Sequence, residues 1–202
     1  MGFILGNSYY KLVNGSSWTQ AESNANSIGG NLADITSGSE NTFIYDSFQS
    51  SVSTSACWIG VNTSIGHSFS LWGPNEPNNS FFGDPEPYVA LAFNVNSYNG
   101  KWNDLPNNPS SYEESTVWHD ISHGIAEIDL SYFSISDLTI TEGNSGNITI
   151  SRTGGTNTTQ TLNLVSSNGT ATAGSDYTAI NTTISFAAGE TSKTFSISTT
   201  ED

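Results

Sequence analysis

Cysteine is almost missing: the 202-residue chain contains one, Cys57. An internal disulfide and a thiolate zinc cluster are therefore excluded. Beside Trp58 and Ile59, Cys57 reads as a small buried hydrophobe. Basic residues are nearly as scarce. Lys11, Lys101, Arg152 and Lys193 stand against 19 acidic residues, for a formal net charge of −15. The chain lacks the basic face that a nucleic-acid partner requires, and anionic membranes would repel it. Charged residues of both signs make up only 11%, which is not the composition of an acidic disordered tail. No apolar run approaches transmembrane length, so membrane insertion is not expected. Residues 1–5 carry no basic residue and form too short an apolar run for a signal peptide. The expectation is a secreted or cell-surface protein of bacterial type, exported by a signal not visible here.

Apolar residues reach 35% and aromatics 11%, enough for packed cores. The polar surface must be built from Ser, Thr, Asn and Gly, which favours strands and turns over surface helices. The acid excess is compatible with hard cations, Ca²⁺ foremost, and also with simple solubility.

Residues 7–13 read as a strand. Ser17 with Gln20, and Ser37 with Glu40, form capping boxes that start two helices. Trp18, Ala21, Ala25 and Ile28 give the first helix its apolar spacing, and Phe43, Ile44 and Phe48 the second. Cys57-Trp58-Ile59-Gly60-Val61 is a buried strand. From 62 to 87 the chain becomes a long loop of Gly, Pro, Asn and Ser with Phe69, Trp72, Phe81 and Phe82 in it; a loop of this length is functional or disordered, and the aromatics favour order. Residues 88–93 form a strand that pairs with Lys101-Trp102. A second polar loop covers 105–116, and residues 124–128 close the first unit as a strand.

Beyond about residue 130 helical patterns vanish. Leu138/Ile140, Ile148/Ile150, Leu162/Leu164, Ile184/Phe186 and Phe195/Ile197 alternate, which suggests an antiparallel sandwich. The expected domains are 1–130, an α+β unit, and 131–202, an all-β sandwich that reads as truncated, to be completed by further domains or a partner chain.

Two stretches carry the chemistry. Glu76-Pro77-Asn78 and Asn103-Asp104 all present oxygen, the donor that Ca²⁺ takes six to eight times over. Pro77 allows a cis bond at modest cost, which would turn Glu76 and Asn78 toward one point. Asp84 and Glu86 are both candidates for a fifth ligand.

In order along the chain, Asn31-Leu32-Ala33, Trp58-Ile59-Gly60-Val61, Glu76-Pro77-Asn78, Trp102-Asn103-Asp104 and Ala126-Glu127-Ile128 resemble the C-type lectin-like domain over about residues 7–129. The resemblance implies a fold with two helices, small antiparallel sheets and a long loop carrying Ca²⁺ and ligand. It implies a cis proline at Pro77 and metal ligands at Glu76, Asn78, Glu86, Asn103 and Asp104, with Glu86 preferred over Asp84. Glu76, Asn78, Glu86 and Asn103 would also touch a sugar, and the Glu-Pro-Asn form accompanies mannose- or glucose-like diols. Trp72 or one of Phe81 and Phe82 could pack on the sugar ring. The usual disulfides of such domains cannot form here, and residues 62–75 have no carboxylate for an auxiliary ion. Glu40 and Glu127 match a distant structural ion site in some relatives; a capping and a rim glutamate is the plainer reading.

Residues 132–202 resemble a Calx-beta domain through Ile140-Thr141-Glu142-Gly143, the run from Gly169 to Tyr177, and Phe186-Ala187-Ala188-Gly189-Glu190. That resemblance implies a sandwich with possible Ca²⁺ ligands at Glu142, Asp176, Glu201 and Asp202, or else a spacer. No enzyme is expected. Glu113-Glu114 are adjacent carboxylates in a polar loop, unlike a glycosidase pair. His67, His119 and His123 read as surface residues, and no nucleophile or phosphate-loop motif is present. The expected function is Ca²⁺-dependent glycan binding, with adhesion to a protein or other non-glycan surface as the alternative.

Overall fold

The computed structural model of the chain describes residues 1–62, 69–80, 83–111 and 118–201, without the side chains of Asn62 and Ser110. It divides into two compact units, Met1–Ile128 and Asp129–Asp202.

In the first unit, β1 (Gly2–Leu5) and β2 (Ser8–Asn14) form a hairpin, followed by α1 (Trp18–Ser27), β3 (Asn31–Leu32) and α2 (Gly38–Phe48). Strands β4 (Ala56–Asn62), β5 (Tyr88–Ala92), β6 (Trp102–Leu105) and β7 (His123–Asp129) complete it. The sheet order is β1-β2-β7-β4-β5-β6, with β3 paired to β7. Strand β1 carried no strand signal of its own and forms by pairing with β2.

Both helices start at the expected serines. Ser17 Oγ accepts from the Gln20 N–H and Ser37 Oγ from the Glu40 N–H. The reciprocal halves of the boxes shift by one residue: Gln20 accepts from the Ser16 N–H, and Glu40 from the N–H and hydroxyl of Thr36. Ile28 caps α1 and is 38% exposed, outside the apolar face assigned to it.

Strand β4 explains the continuous apolar run. Its period of two sends Cys57, Ile59 and Val61 into one core with Ile44 and Phe48 of α2, and Ala56 and Trp58 into another with Ala21 and Ala25 of α1. A strand buried on both faces has no room for polar alternation. Gly60 is required there: a Cβ would lie 2.2 Å from the Leu32 carbonyl oxygen, while its own N–H bonds to Ala33 at 2.7 Å.

The second unit is all β. Strands β8 (Ser131–Ile135), β9 (Ser145–Gly154) and β12 (Ser192–Ser198) form one sheet in the order β12-β9-β8, and β10 (Gln160–Val165) pairs with β11 (Asn181–Phe186) in another. All pairings are antiparallel. The sheets face each other, since Phe133 and Phe186 rings meet at 5.3 Å and Phe133, Ile150, Leu162 and Ile184 line a common cleft. Leu138 and Ile140, expected in a strand, lie outside one; they pack over Gly146, where a Cβ would crowd both. Strand β8 takes the place they were assigned. Buried Arg152 donates to Ser131 Oγ and to the carbonyls of Gly155 and Ala187, tying three segments together.

Candidate functional site

The two oxygen-rich motifs meet because the chain ahead of the first runs alongside the second. Residues 71–73 lie against β6: Trp102 N–H bonds to the Leu71 carbonyl, Gly73 N–H bonds to the Trp102 carbonyl, both at 2.9 Å, and Trp72 pairs with Trp102 in parallel register. Fully buried Trp102 anchors this arrangement. Its ring meets Phe69 and Trp72 edge-on at 5.5 and 5.8 Å, and its indole N–H donates to Asn41 Oδ1 at 2.7 Å. Asn41, from α2, in turn donates to the Gly100 carbonyl at 2.9 Å. Trp72 thus packs into this core.

Past Gly73 the chain turns. Asn75 and Asn79 adopt φ of 65° and 59°, conformations that asparagine tolerates, and the Glu76–Pro77 bond is cis. Asp104 sits beneath the turn with no exposed surface. Its Oδ1 accepts from the Asn78 N–H at 3.2 Å and its Oδ2 from the Asn79 N–H at 2.8 Å. One buried carboxylate therefore fixes the backbone between the two motifs. Above it, Asn78 Nδ2 donates to Glu76 Oε2 at 2.7 Å, and Asn78 Oδ1 accepts from the Ser80 N–H at 2.9 Å. Glu76 is half-buried and Asn78 exposed, so the inner acceptors are covered and the outer ones open to solvent.

Glu86, two residues before β5, is 2% exposed, whereas Asp84 is exposed. The pairing of Val89 with Asp104 places the start of β5 beside β6. Burial first, then the Asp104 and Glu76 charges, push the Glu86 carboxyl up to about 8. Burial and the same Asp104 charge push Glu76 up to about 7. Asn103 is 3% exposed, and its Oδ1 has no hydrogen-bond partner among the described residues. A buried amide oxygen left this way is costly. Among the described residues no three His, Cys, Asp or Glu side chains are placed to hold a metal by themselves.

Tyr98 escaped the sequence reading. It ends a 3₁₀ turn, Asn96–Tyr98, in the β5–β6 connection, and its hydroxyl lies 2.8 Å from the Pro74 carbonyl and 3.4 Å from Glu76 Oε1. Its ring covers Gly73, where a Cβ would come within 2.2 Å of a ring carbon. Burial and the Glu76 charge raise its phenol above the ordinary value. The signal was weak because a tyrosine in a polar turn looks like any other surface aromatic.

Glu40 and Glu127 are held by hydroxyls. Tyr10 Oη is 2.9 Å from Glu40 and 3.3 Å from Glu127, and Ser8 donates to Glu127 at 2.7 Å. In the second unit, the segments carrying Glu142, Asp176 and Glu201 gather at one end. A Cβ on Gly143 would sit 3.1 Å from Glu201 Oε2, and the Thr200 N–H bonds to the Asp176 carbonyl at 2.9 Å. Asp176 Oδ2 accepts from the Thr172 N–H at 2.7 Å. His67, Phe81, Phe82, Glu113, Glu114 and Asp202 lie outside the described residues. No helix among the described residues is long and apolar enough to cross a membrane.

A model of the Calx-beta domain matches residues 126–202. No curated protein matches the chain. Among solved structures, it is similar to the cow C-type carbohydrate-recognition domain of CD23, determined in the presence of a GlcNAc2Man3 oligosaccharide, with 21% identity over 63% of this chain and 92% of that one and a TM-score of 0.47. It is also similar to the Ca²⁺-independent C-type lectin SPL-2 from Saxidomus purpuratus, at 19% identity over 63% and 91% of the two chains with a TM-score of 0.48. A third is herring type II antifreeze protein, at 18% identity over 64% and 96% with a TM-score of 0.47. The first unit, two helices with one seven-stranded sheet, has the elements of a C-type lectin-like fold, and the C-terminal strands fit a Calx-beta sandwich.

Proposed function

We propose that the chain is a Ca²⁺-dependent carbohydrate-binding module, with residues 1–130 as the lectin domain and 131–202 as a sandwich spacer following it in the chain. The observation that carries this reading is the buried Asp104 carboxylate hydrogen-bonded to the backbone of Asn78 and Asn79, because it joins the two oxygen-rich motifs at one point. The donor set suits a hard cation: Glu76, Glu86 and Asp104 bring carboxylates, and Asn78 and Asn103 bring amide oxygens. Two features of the site itself support that fit. Asn103 keeps a buried oxygen without a hydrogen-bond partner among the described residues, and the carboxyls of Glu76 and Glu86 are held up by burial and mutual repulsion that a cation would relieve.

When bound, Ca²⁺ supplies coordination positions for two vicinal hydroxyls of a sugar. Each such hydroxyl has a proton to give and a second lone pair to fill. Glu76 takes a proton; an amide N–H of Asn78 or Asn103 satisfies a lone pair. Side chains shared by ion and sugar make sugar binding depend on the ion. The Glu76-Pro77-Asn78 form favours mannose- or glucose-type diols. No bond of the sugar is broken, and a single open site of this kind binds weakly, so the working protein would present several copies, outside the cell.

A glycan array with and without chelator tests this. Binding should vanish in chelator, and Glu76→Gln with Asn78→Asp should shift it toward galactose-type ligands. Binding that survives chelation refutes the mechanism. Ca²⁺ binding with a silent array would instead favour a non-glycan surface as the partner.

A further inference from the structure

We infer that Tyr98, backed by Trp118, forms an aromatic wall on the Glu76 side of the site and selects saccharides that present a C–H face beside the coordinating diol; this inference rests on the reading of the site given above. Neither aromatic is among those the sequence put forward for ring packing, which were Trp72, Phe81 and Phe82. Trp72 is committed to the Trp102 core.

Tyr98 occupies the right place because of Glu76. Its Oη is 3.4 Å from Glu76 Oε1. A sugar hydroxyl donating to that oxygen would stand about 2.6 Å from it. The pyranose carbons behind such a hydroxyl would then stand within reach of the Tyr98 side chain. Tyr98 is also half-buried, leaving part of its ring open to a ligand.

The wall is rigid. Lys101 N–H bonds to the Tyr98 carbonyl at 2.6 Å, Val95 N–H to Asn99 Oδ1 at 2.8 Å, and Gly100 N–H to the Ala92 carbonyl at 2.9 Å. These bonds lock the turn to the end of β5. The Tyr98 ring rests on Gly73 from one side and meets Trp118 edge-on at 5.5 Å from another. Trp118 is itself anchored, packing against the core that holds Leu105 and Ile121. A ligand contact built on held side chains loses little conformational entropy on binding. Aromatic rings supply the apolar area that a diol-binding ion site otherwise lacks.

The test is calorimetry in saturating Ca²⁺ with methyl α-mannopyranoside and methyl α-glucopyranoside, on the wild type and on Tyr98→Phe, Tyr98→Ala and Trp118→Ala. Ca²⁺ affinity should stay within about threefold in Trp118→Ala, and each Tyr98 variant is compared at a Ca²⁺ concentration that saturates it. Saccharide affinity should fall roughly five- to tenfold in Tyr98→Ala and Trp118→Ala, and by less than about twofold in Tyr98→Phe, which keeps the ring. An unchanged Tyr98→Ala overturns the wall. So does a Tyr98→Phe as weak as Tyr98→Ala, since the hydroxyl's hold on Glu76 would then be the cause. Should either alanine variant misfold, Trp118→Phe decides: the saccharide-induced change in tryptophan fluorescence of the wild type should be largely lost, and its persistence counts against the wall. A wild type that binds Ca²⁺ but neither glycoside, or binds them in chelator, removes the reading of the site and the wall with it.

Discussion

Replacing Asp104 by asparagine changes one oxygen for an NH₂ at nearly constant volume, which makes Asp104→Asn the sharpest probe of the site. In the metal-free protein two consequences oppose each other. The amide cannot accept from both Asn78 and Asn79, so one of the bonds at 3.2 and 2.8 Å is lost and two donors face each other. Losing a hydrogen bond to a charged, buried group costs about 1.5–3 kcal/mol. Against this, the variant removes the charge that pushes the carboxyls of Glu76 and Glu86 up. Metal-free stability should therefore move by less than about 2 kcal/mol. Ca²⁺ affinity has no such offset: a buried anionic ligand is lost, at a cost of at least about 2 kcal/mol, or roughly 30-fold in Kd. At a Ca²⁺ concentration 100 times the wild-type Kd, the ion stabilises the wild type by about 2.7 kcal/mol and the variant by about 0.9 kcal/mol. For a unit of this size those figures correspond to a rise in Tm of about 10 °C and about 3 °C. All five tryptophans, at 18, 58, 72, 102 and 118, lie in the first unit, so thermal unfolding followed by tryptophan fluorescence reports that unit alone. Equal shifts in wild type and variant would refute the assignment of Asp104, and no shift in either would refute the ion.

Proton binding should trace the same site in chelated protein. Glu76 and Glu86 have folded values raised to about 7 and about 8, so the folded state holds protons that the unfolded chain releases near pH 4.5. Their contribution is fully present below that pH and is lost as pH rises through 7 to 8. Urea midpoints of chelated protein should decline over that window, and saturating Ca²⁺ should flatten the decline; a midpoint rising with pH in chelator contradicts it. Asn41→Ala strips the acceptor from the buried Trp102 N–H and the donor from Gly100. A loss of about 2–4 kcal/mol is expected from denaturant titration, and a loss below 1 kcal/mol would show that water replaces the amide. Burial raises the Cys57 thiol far above its ordinary value, so a thiol reagent at pH 8 should label it only as fast as the protein unfolds. Rapid labelling of native protein would contradict the buried position.

Much of the fold was readable because local and global signals agree. Ser17 and Ser37 cap helices whose apolar faces, Ile28 excepted, lie where the spacing put them, and the run from Cys57 to Val61 is buried on both faces. One misreading has a plain origin. Leu138 and Ile140 alternate as a strand would, yet the partner that β9 takes is Ser131–Ile135. Alternation reports a half-buried extended segment, and it does not say which of two adjacent segments wins the ladder. At the candidate site the sequence supplied the oxygen-bearing residues but not their means of meeting. The backbone bonds of Leu71 and Gly73 to Trp102 leave no mark on side-chain pattern, and neither does the reach of Asn41 from α2 to Trp102. That Glu86 is buried and Asp84 exposed is likewise something two acids in one Pro-rich stretch cannot reveal by themselves.

The site and the composition bear on one another. A chain with four basic residues has few side chains with which to neutralise buried carboxylates. Placing Asp104 out of solvent, with Glu76 and Glu86 close enough to feel its charge, is unfavourable unless something positive joins them. Backbone N–H groups of Asn78 and Asn79 supply part of that compensation for Asp104 and organise the turn in doing so. The compensation is incomplete, as the raised carboxyls of Glu76 and Glu86 show. A pre-shaped anionic pocket with its inner oxygens buried and its outer ones exposed is what a recruited divalent cation would complete, and its open side is the one that Tyr98 borders. On the function proposed above, loss of the ion would also release the ligand, because the repelling carboxylates would take up protons in its place.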